Sequence, residues 1–244
     1  INGDMRIDQR NAGASNSTIT NVYTTDRWQF QIFGITNAIT YQQVTDAPIG
    51  FNNSLKFTSN AITETVADNI TVSPRQAIEG YNIDHLGWGT ANAKTVTVSF
   101  WAKASISGVY PLAINNSAFN TSYVSEYTIS SANTWEYKTI TITGPTIGTW
   151  PTDNSRGLLV LFTISAGTII TTSSVNTWQS GNYRTTPSCV QLIENSSATF
   201  QITGVQLETG TTATPFEHRP YDMELATCMR YYEKSGWRQE DSPS

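Results

Sequence analysis

The stretch Ile202-Thr203-Gly204-Val205-Gln206-Leu207-Glu208-Thr209-Gly210 decides how the chain reads. It is followed by Ala213-Thr214-Pro215-Phe216-Glu217-His218-Arg219-Pro220-Tyr221 and by Glu224-Leu225-Ala226-Thr227-Cys228-Met229-Arg230-Tyr231-Tyr232. The first part reads as a closing β-strand, with Phe200 and Ile202 sharing a face ahead of Gly204. The middle, punctuated by Pro215 and Pro220, reads as a turn. The last part reads as a short helix over residues 222–234. Asp222 is its expected N-cap, and Arg230 and Lys234 stand toward the C-terminal half, where cations suit the helix dipole. Met223, Leu225, Ala226, Met229 and Tyr232 supply its apolar stripe, and Gly236 a natural stop. Glu240, Asp241 and Pro243 read as a frayed tail.

Upstream, period-2 alternation dominates. Val96, Val98 and Phe100 point one way, and Thr95, Thr97, Ser99 and Trp101 the other. Trp28, Phe30 and Ile32 share a face, as do Trp135, Tyr137, Thr139 and Thr141, with Ile140 and Ile142 opposite. Residues 157–164 are almost continuously apolar after Gly157, which suggests a strand buried on both faces. Residues 72–79 read either as a turn into a short helix or as a strand. Turn signals such as Ser107-Gly108, Thr143-Gly144-Pro145 and Ser180-Gly181-Asn182 separate many short runs. The expected fold is all-β, an antiparallel β-sandwich (jelly roll) with one short C-terminal α-helix. Residues 1–216 form the jelly-roll sandwich, and residues 217–244 a C-terminal turn, helix and tail packed on it.

Composition narrows the function classes. At 244 residues one large β domain can bury a sizeable core without staples. Only 14% of residues are charged, while Ser and Thr make up 61 of the 244, so hydroxyls and amides replace charges on the solvent face. The net charge is −5, and the 14 Lys and Arg are dispersed, which argues against nucleic acid as a partner. No apolar run reaches 18 residues, so no membrane-spanning helix and no membrane insertion are expected. Cys189 and Cys228 are expected as two buried thiols rather than a bridge. They have no zinc spacing, since His85 and His218 lie far from both.

The quoted C-terminal stretch resembles the end of a β-sandwich domain common in bacteriophage structural and tail-fibre proteins, especially of marine phages. That family is itself similar to jelly-roll carbohydrate-binding modules. Four further blocks fall in the family's order: residues 2–10, 24–28, 96–103 and 133–140, which include Trp28, Trp101 and Trp135. The resemblance therefore covers most of the chain. It implies a virion component, made in the host cytoplasm and extracellular when mature. It also implies a homotrimer and, as partner, a cell-surface or algal polysaccharide. No N-terminal signal peptide is visible. That fits release by lysis, and equally a mature chain whose signal was removed.

No catalytic motif stands out: there is no nucleophile elbow, phosphate-cradling glycine loop or zinc helix. His218 reads as a hydrogen-bonded or interface residue, and His85 as a surface-loop or pocket residue. A glycosidase needs two carboxylates at a set gap, and Glu79, Asp84, Glu126 and Glu136 cannot be paired from sequence. A non-enzymatic role is expected, with no cofactor required. Tryptophan is the more informative residue type, because an indole face matches the weakly apolar C–H face of a sugar. Trp28, Trp101 and Trp135 lie in strand blocks and are assigned to the core, where losing such a ring costs about 3–5 kcal/mol. Trp88, Trp150 and Trp178 lie beside turns and are the candidates for an exposed sugar site. Tyr81 and the pair Asn182 and Tyr183 offer polar company. Jelly-roll sugar-binding modules often tie a structural calcium between the chain start and the last strand. Asn2, Asp4 and Glu208 are the corresponding oxygen donors, the alternative being a turn plus a solvated Glu.

Three functions remain open. They are a virion module that recognises glycans, a purely structural virion part, and a polysaccharide-degrading fibre enzyme. Exposed Trp88, Trp150 and Trp178 favour the first, buried ones favour the second, and a groove with two facing carboxylates favours the third.

Overall fold

Alternation in the run Val96–Ala104 builds the sandwich. Val96, Val98, Phe100, Ala102 and Ala104 are fully buried, while Trp101 and Lys103 are only half-buried on the other side. The computed structural model describes residues 1–17, 21–60 and 65–234. In chain order the strands are β1 (Asn16–Ser17), β2 (Val22–Tyr23), β3 (Trp28–Phe33), β4 (Ile39–Val44), β5 (Ser54–Ser59), β6 (Thr71–Glu79) and β7 (Val96–Ala104). They continue with β8 (Gly108–Asn116), β9 (Thr121–Ile129), β10 (Glu136–Ile142), β11 (Arg156–Phe162), β12 (Ser165–Ala166), β13 (Trp178–Ser180) and β14 (Thr199–Thr209). One α-helix, α1 (Tyr221–Met229), follows.

The first sheet has the order β1-β4-β5-β14-β7-β10, and the second β13-β9-β8-β11-β6-β3-β2, with β12 pairing β6. The strands pair antiparallel. Successive strands change sheet from β3 to β4, from β5 to β6, from β7 to β8 and from β9 to β10. The architecture is the expected all-β antiparallel jelly roll with one short helix. Residues 72–79 are strand, not helix. Pro74 is tolerated in β6 because the ladder on one side is interrupted there: β11 ends opposite Arg75 and β12 resumes opposite Val72.

Aromatic rings fill the space between the sheets. Phe30 stacks on Phe57 at 4.9 Å, Phe100 meets Phe162 at 5.0 Å, and Trp28 lies 6.1 Å from Phe162. As expected, β11 is buried on both faces. Leu158, Val160 and Phe162 join the main core, while Leu159 and Leu161 form a second cluster with Ala113 and Val124 beneath Phe119 and Tyr183. Cys189 and Cys228 are free and buried, and burial pushes each thiol up to about 12. Among the described residues no helix is long and apolar enough to cross a membrane.

The C-terminal helix differs from its sequence reading. It starts at Tyr221, with Pro220 rather than Asp222 at the N-cap position and no side-chain cap. It buries Glu224 and Cys228, whereas Met223 and Met229 face solvent. A short helix is placed by what it docks on, and here the docking is polar. Arg230 Nη2 and the Tyr231 hydroxyl donate to the two oxygens of Glu79 at 2.5 and 2.6 Å. The Arg27 guanidinium lies 3.5 Å over the Tyr231 ring, and that of Arg10 3.4 Å over Tyr232. The expected stop at Gly236 and the tail carrying Glu240, Asp241 and Pro243 lie outside the described residues.

Replacing Trp28, 1% exposed, by Ala should destabilise the domain by about 3–5 kcal/mol. Chemical denaturation checks this, and a midpoint within error of the parent would refute it.

Candidate functional site

The outward face of the first sheet carries a line of partly accessible aromatic rings. Trp101 on β7 pairs across to Tyr137 on β10, their rings 5.4 Å apart. On the other side Trp101 faces Thr203 of β14, next to Gly204. Beyond Gly204 stand Phe51, Phe216 and His218, with centroids 4.9–5.3 Å apart. A Cβ on Gly204 would lie 2.6 Å from the Phe51 ring and 3.2 Å from that of Trp101, so both rings close over this one glycine. The rings thus run across three strands, whose spacing of about 4.8 Å is of the order of one pyranose unit.

Polar groups flank this line. Lys103 and Asp46 form an ion pair. Trp135 donates its indole N–H to Asp46 Oδ1 at 3.3 Å, and the Lys103 ammonium lies 5.2 Å over the Trp135 ring. Gln201 donates to Asp46 Oδ2 at 3.2 Å. Burial acts to raise the Asp46 carboxyl, but the hydrogen bonds from Lys103 and Trp135 outweigh it and hold it below the ordinary value. Two chain segments lie on the same face. One is reached through Thr203 donating to Asn53 O at 2.7 Å, and the other through Thr97 donating to Gly210 O at 2.9 Å.

The assignment of Trp101 and Trp135 to the core is corrected here: both are half-exposed on the outer face. The alternation already carried the signal, since Trp101 is out of phase with Val98 and Phe100. The reverse correction applies to two of the loop tryptophans. Trp88 and Trp150 are buried, whereas Trp178 keeps the same intermediate exposure as Trp101 and Trp135 and is not overturned. The three pack edge to face at 4.9–5.4 Å, with Tyr123 against Trp178. Each indole N–H is satisfied by a backbone carbonyl, of Lys94, Ile147 and Thr143 respectively. Trp88 and Trp150 thus belong to a knot inside the fold, with Trp178 at its partly exposed edge. Tyr81 is exposed and stands apart in a 3-10 turn. Asn182 and Tyr183 lie on the outer face of the second sheet, where Tyr183 packs on the cluster of Leu159 and Leu161.

Each of the three candidate calcium donors is engaged within the protein. Asn2 Oδ1 accepts from Ile7 N at 2.9 Å, and its amide group donates to Ile7 O and Asp26 O. Asp4 is ion-paired with Arg6 at 3.1 Å, and burial raises its carboxyl. Glu208 accepts from Gln206 at 2.7 Å and from the Thr214 amide. Among the described residues no three His, Cys, Asp or Glu side chains gather for a metal. Asp4 and Glu208 do line one cleft of about 310 Å³, with Glu217 and Glu224. The last two are paired with Arg219. Of the carboxylates considered for hydrolysis, Glu79 is tied to α1 and Glu136 to Lys138. His85 lines a cavity of about 520 Å³ between the sheets, beside Val96, Val98 and Leu207.

No protein-family model and no curated protein sequence matches the chain. Solved structures with a similar fold include the enzymatically active domain of tailspike protein 4 from bacteriophage CBA120. It is 12% identical, at a TM-score of 0.42, over 75% of this chain and 19% of that one. This chain therefore spans about a fifth of the tailspike's length. A family 4 carbohydrate-binding module is 13% identical at a TM-score of 0.39, over 86% of this chain and 99% of that one. A family 11 module from Clostridium thermocellum, solved with a β-1,3-1,4-mixed-linked tetrasaccharide, is 13% identical at 0.37, over 82% and 99%. These likenesses concern the fold alone.

Because Trp101 is half-exposed, Trp101→Ala should leave the domain folded at a cost of about 1 kcal/mol. That is a melting shift of roughly 2–4 °C for a chain of this size. Unfolding at room temperature, seen by circular dichroism, would show that the ring supports the core.

Proposed function

We propose that the chain is a non-catalytic glycan-recognising module of the virion-surface kind that its sequence resembles. Its sugar platform is the outer face of the first sheet. The observation that carries this reading is the line of accessible rings from Tyr137 through Trp101 to Phe51 and Phe216. The pair Lys103 and Asp46 and the amide of Gln201 stand beside it. Ring faces take the C–H faces of sugars, while the charged pair and the amide take hydroxyls. Calorimetric titration with neutral β-glucan, xylan, galactan and agarose oligosaccharides tests it. At least one should bind. Trp101→Ala or Tyr137→Ala should weaken that binding tenfold or more, about 1.4 kcal/mol. Absence of binding by folded protein across the panel, or binding indifferent to both substitutions, would overturn it.

A purely structural virion part is the second reading, supported by the burial of Trp88 and Trp150. Self-association, as a homotrimer, goes with either reading. The outward side of α1 offers Tyr221, Met223 and Met229, which are 57%, 57% and 37% exposed, residue types suited to interfaces. Light scattering should give a trimer mass that falls on Met223→Asp; a monomer mass at high concentration would exclude it.

A further inference from the structure

The outer face of the second sheet carries the opposite chemistry. Arg75 on β6 donates from Nε to Gln29 Oε1 at 2.8 Å and from Nη1 to Gln31 Oε1 at 2.7 Å. Arg184 donates from Nε to Asn182 Oδ1 at 2.9 Å and from Nη1 to the same Gln31 oxygen at 2.7 Å. Two guanidiniums, 6% and 5% exposed, thus converge on one neutral oxygen. Arg156 stands nearby. Its Nη2 donates to Ser117 O at 2.8 Å, and its Nε is buried without a partner. The Phe119 ring lies between Arg184 and Arg156, 4.5 and 5.0 Å from their guanidinium carbons. Phe119 itself holds a left-handed φ of 56°.

Every acceptor in this group is a neutral amide or carbonyl. Among the described residues none of the three arginines is ion-paired, although the chain has 19 acidic residues to 14 basic. Glu79, opposite Arg156 across β6 and β11, has both oxygens taken by Arg230 and Tyr231. Burial and the neighbouring guanidiniums lower Arg75 and Arg184 to about 10, so both stay charged at neutral pH. Buried like charges without a counter-charge are unfavourable and call for an anion. A guanidinium has five N–H donors, and Arg75 and Arg184 each use two in the bonds above. The forked geometry suits a carboxylate or a sulfate, bound bidentately. Half-exposed Gln29, Gln31, Arg156 and Asn182 give access from solvent.

We infer that Arg75, Arg156 and Arg184 form an oxyanion site that takes the carboxylate or sulfate-ester group of an acidic polysaccharide. The carrier's being a polysaccharide rests on the proposed function, but the anion site does not. It is a second site, on the face opposite the aromatic platform. Calorimetric titration of the full chain with an oligogalacturonate, a sulfated galactan oligosaccharide, their neutral counterpart and inorganic sulfate tests it. At least one acidic oligosaccharide should bind, more weakly as salt is raised. Arg184→Gln should weaken it tenfold or more, and Trp101→Ala should not. Which of the two acidic ligands binds decides between carboxylate and sulfate ester. Should Arg184→Gln fail to fold, Arg156→Gln, at the half-exposed rim, gives the same comparison. No binding of either acidic ligand, binding of inorganic sulfate alone, or acidic binding indifferent to these substitutions would overturn the site. Neutral-sugar binding lost with Trp101→Ala would still leave the platform standing. Arg184-dependent acidic binding without any neutral binding would do the reverse.

Discussion

Gly204 is the backbone position on which the outer face of the first sheet depends. Its φ of 61° lies in the left-handed region, and β14 slips its register against β7 there, between Thr203 and Gln206. Before the slip β14 pairs with both β5 and β7, and after it with β7 alone. The bulge does two things at once. It lets Phe51 and Trp101 approach from either side with no Cβ between them. It also frees the Val205 amide to donate to Gly3 O at 2.9 Å, which seats the N-terminal segment against the sheet. Leu207 then returns to the core and Gln206 and Glu208 to the surface, so the strand keeps its inside and outside.

Local pattern was enough for the sheets and not for the ring-lined outer face. Phase along a strand is set by adjacent residues, so the facing of Trp101 was legible from Val98 and Phe100. Its membership of a strand block suggested the core, and the phase contradicted that. Trp88, Trp150 and Trp178 show the opposite limit. Each sits beside a turn, and a ring beside a turn reads as exposed. The burial of Trp88 and Trp150 comes from one another and from Trp178, across separations of some 30 to 90 residues that no local window spans. The helix fails for a related reason. Its stripe of Met and Leu is real in sequence, but Glu79, Arg27 and the N-terminal segment, all remote in sequence, decide which side faces in. Nothing along the chain marks Arg75, Arg156 and Arg184 as neighbours either, since they come from β6, β11 and a loop.

The two outer faces divide the polar chemistry between them. On the first, the pair of Lys103 and Asp46 stands beside rings, with Lys56 close to the same carboxylate. On the second, three guanidiniums lean on amides and on the Phe119 ring. A net charge of −5 averages over this and hides it. The acidic excess lies elsewhere, partly in the cleft of Asp4, Glu208, Glu217 and Glu224.

The two ends of the described chain meet on one side of the sandwich. Asn2 N donates to Glu224, Gln9 donates to Tyr232 O at 3.0 Å, and Arg6 donates to Arg219 O. Tension drawn through residues 1 and 234 in opposite directions therefore enters at this clasp. It loads the bonds of Asn2, Arg6 and Gln9 and the pair of Arg230 with Glu79. Through Gly3 and Val205 it also reaches β14, and through Glu79 it reaches β6. The clasp thus puts side-chain bonds, and not sheet ladders alone, in the load path between the two ends.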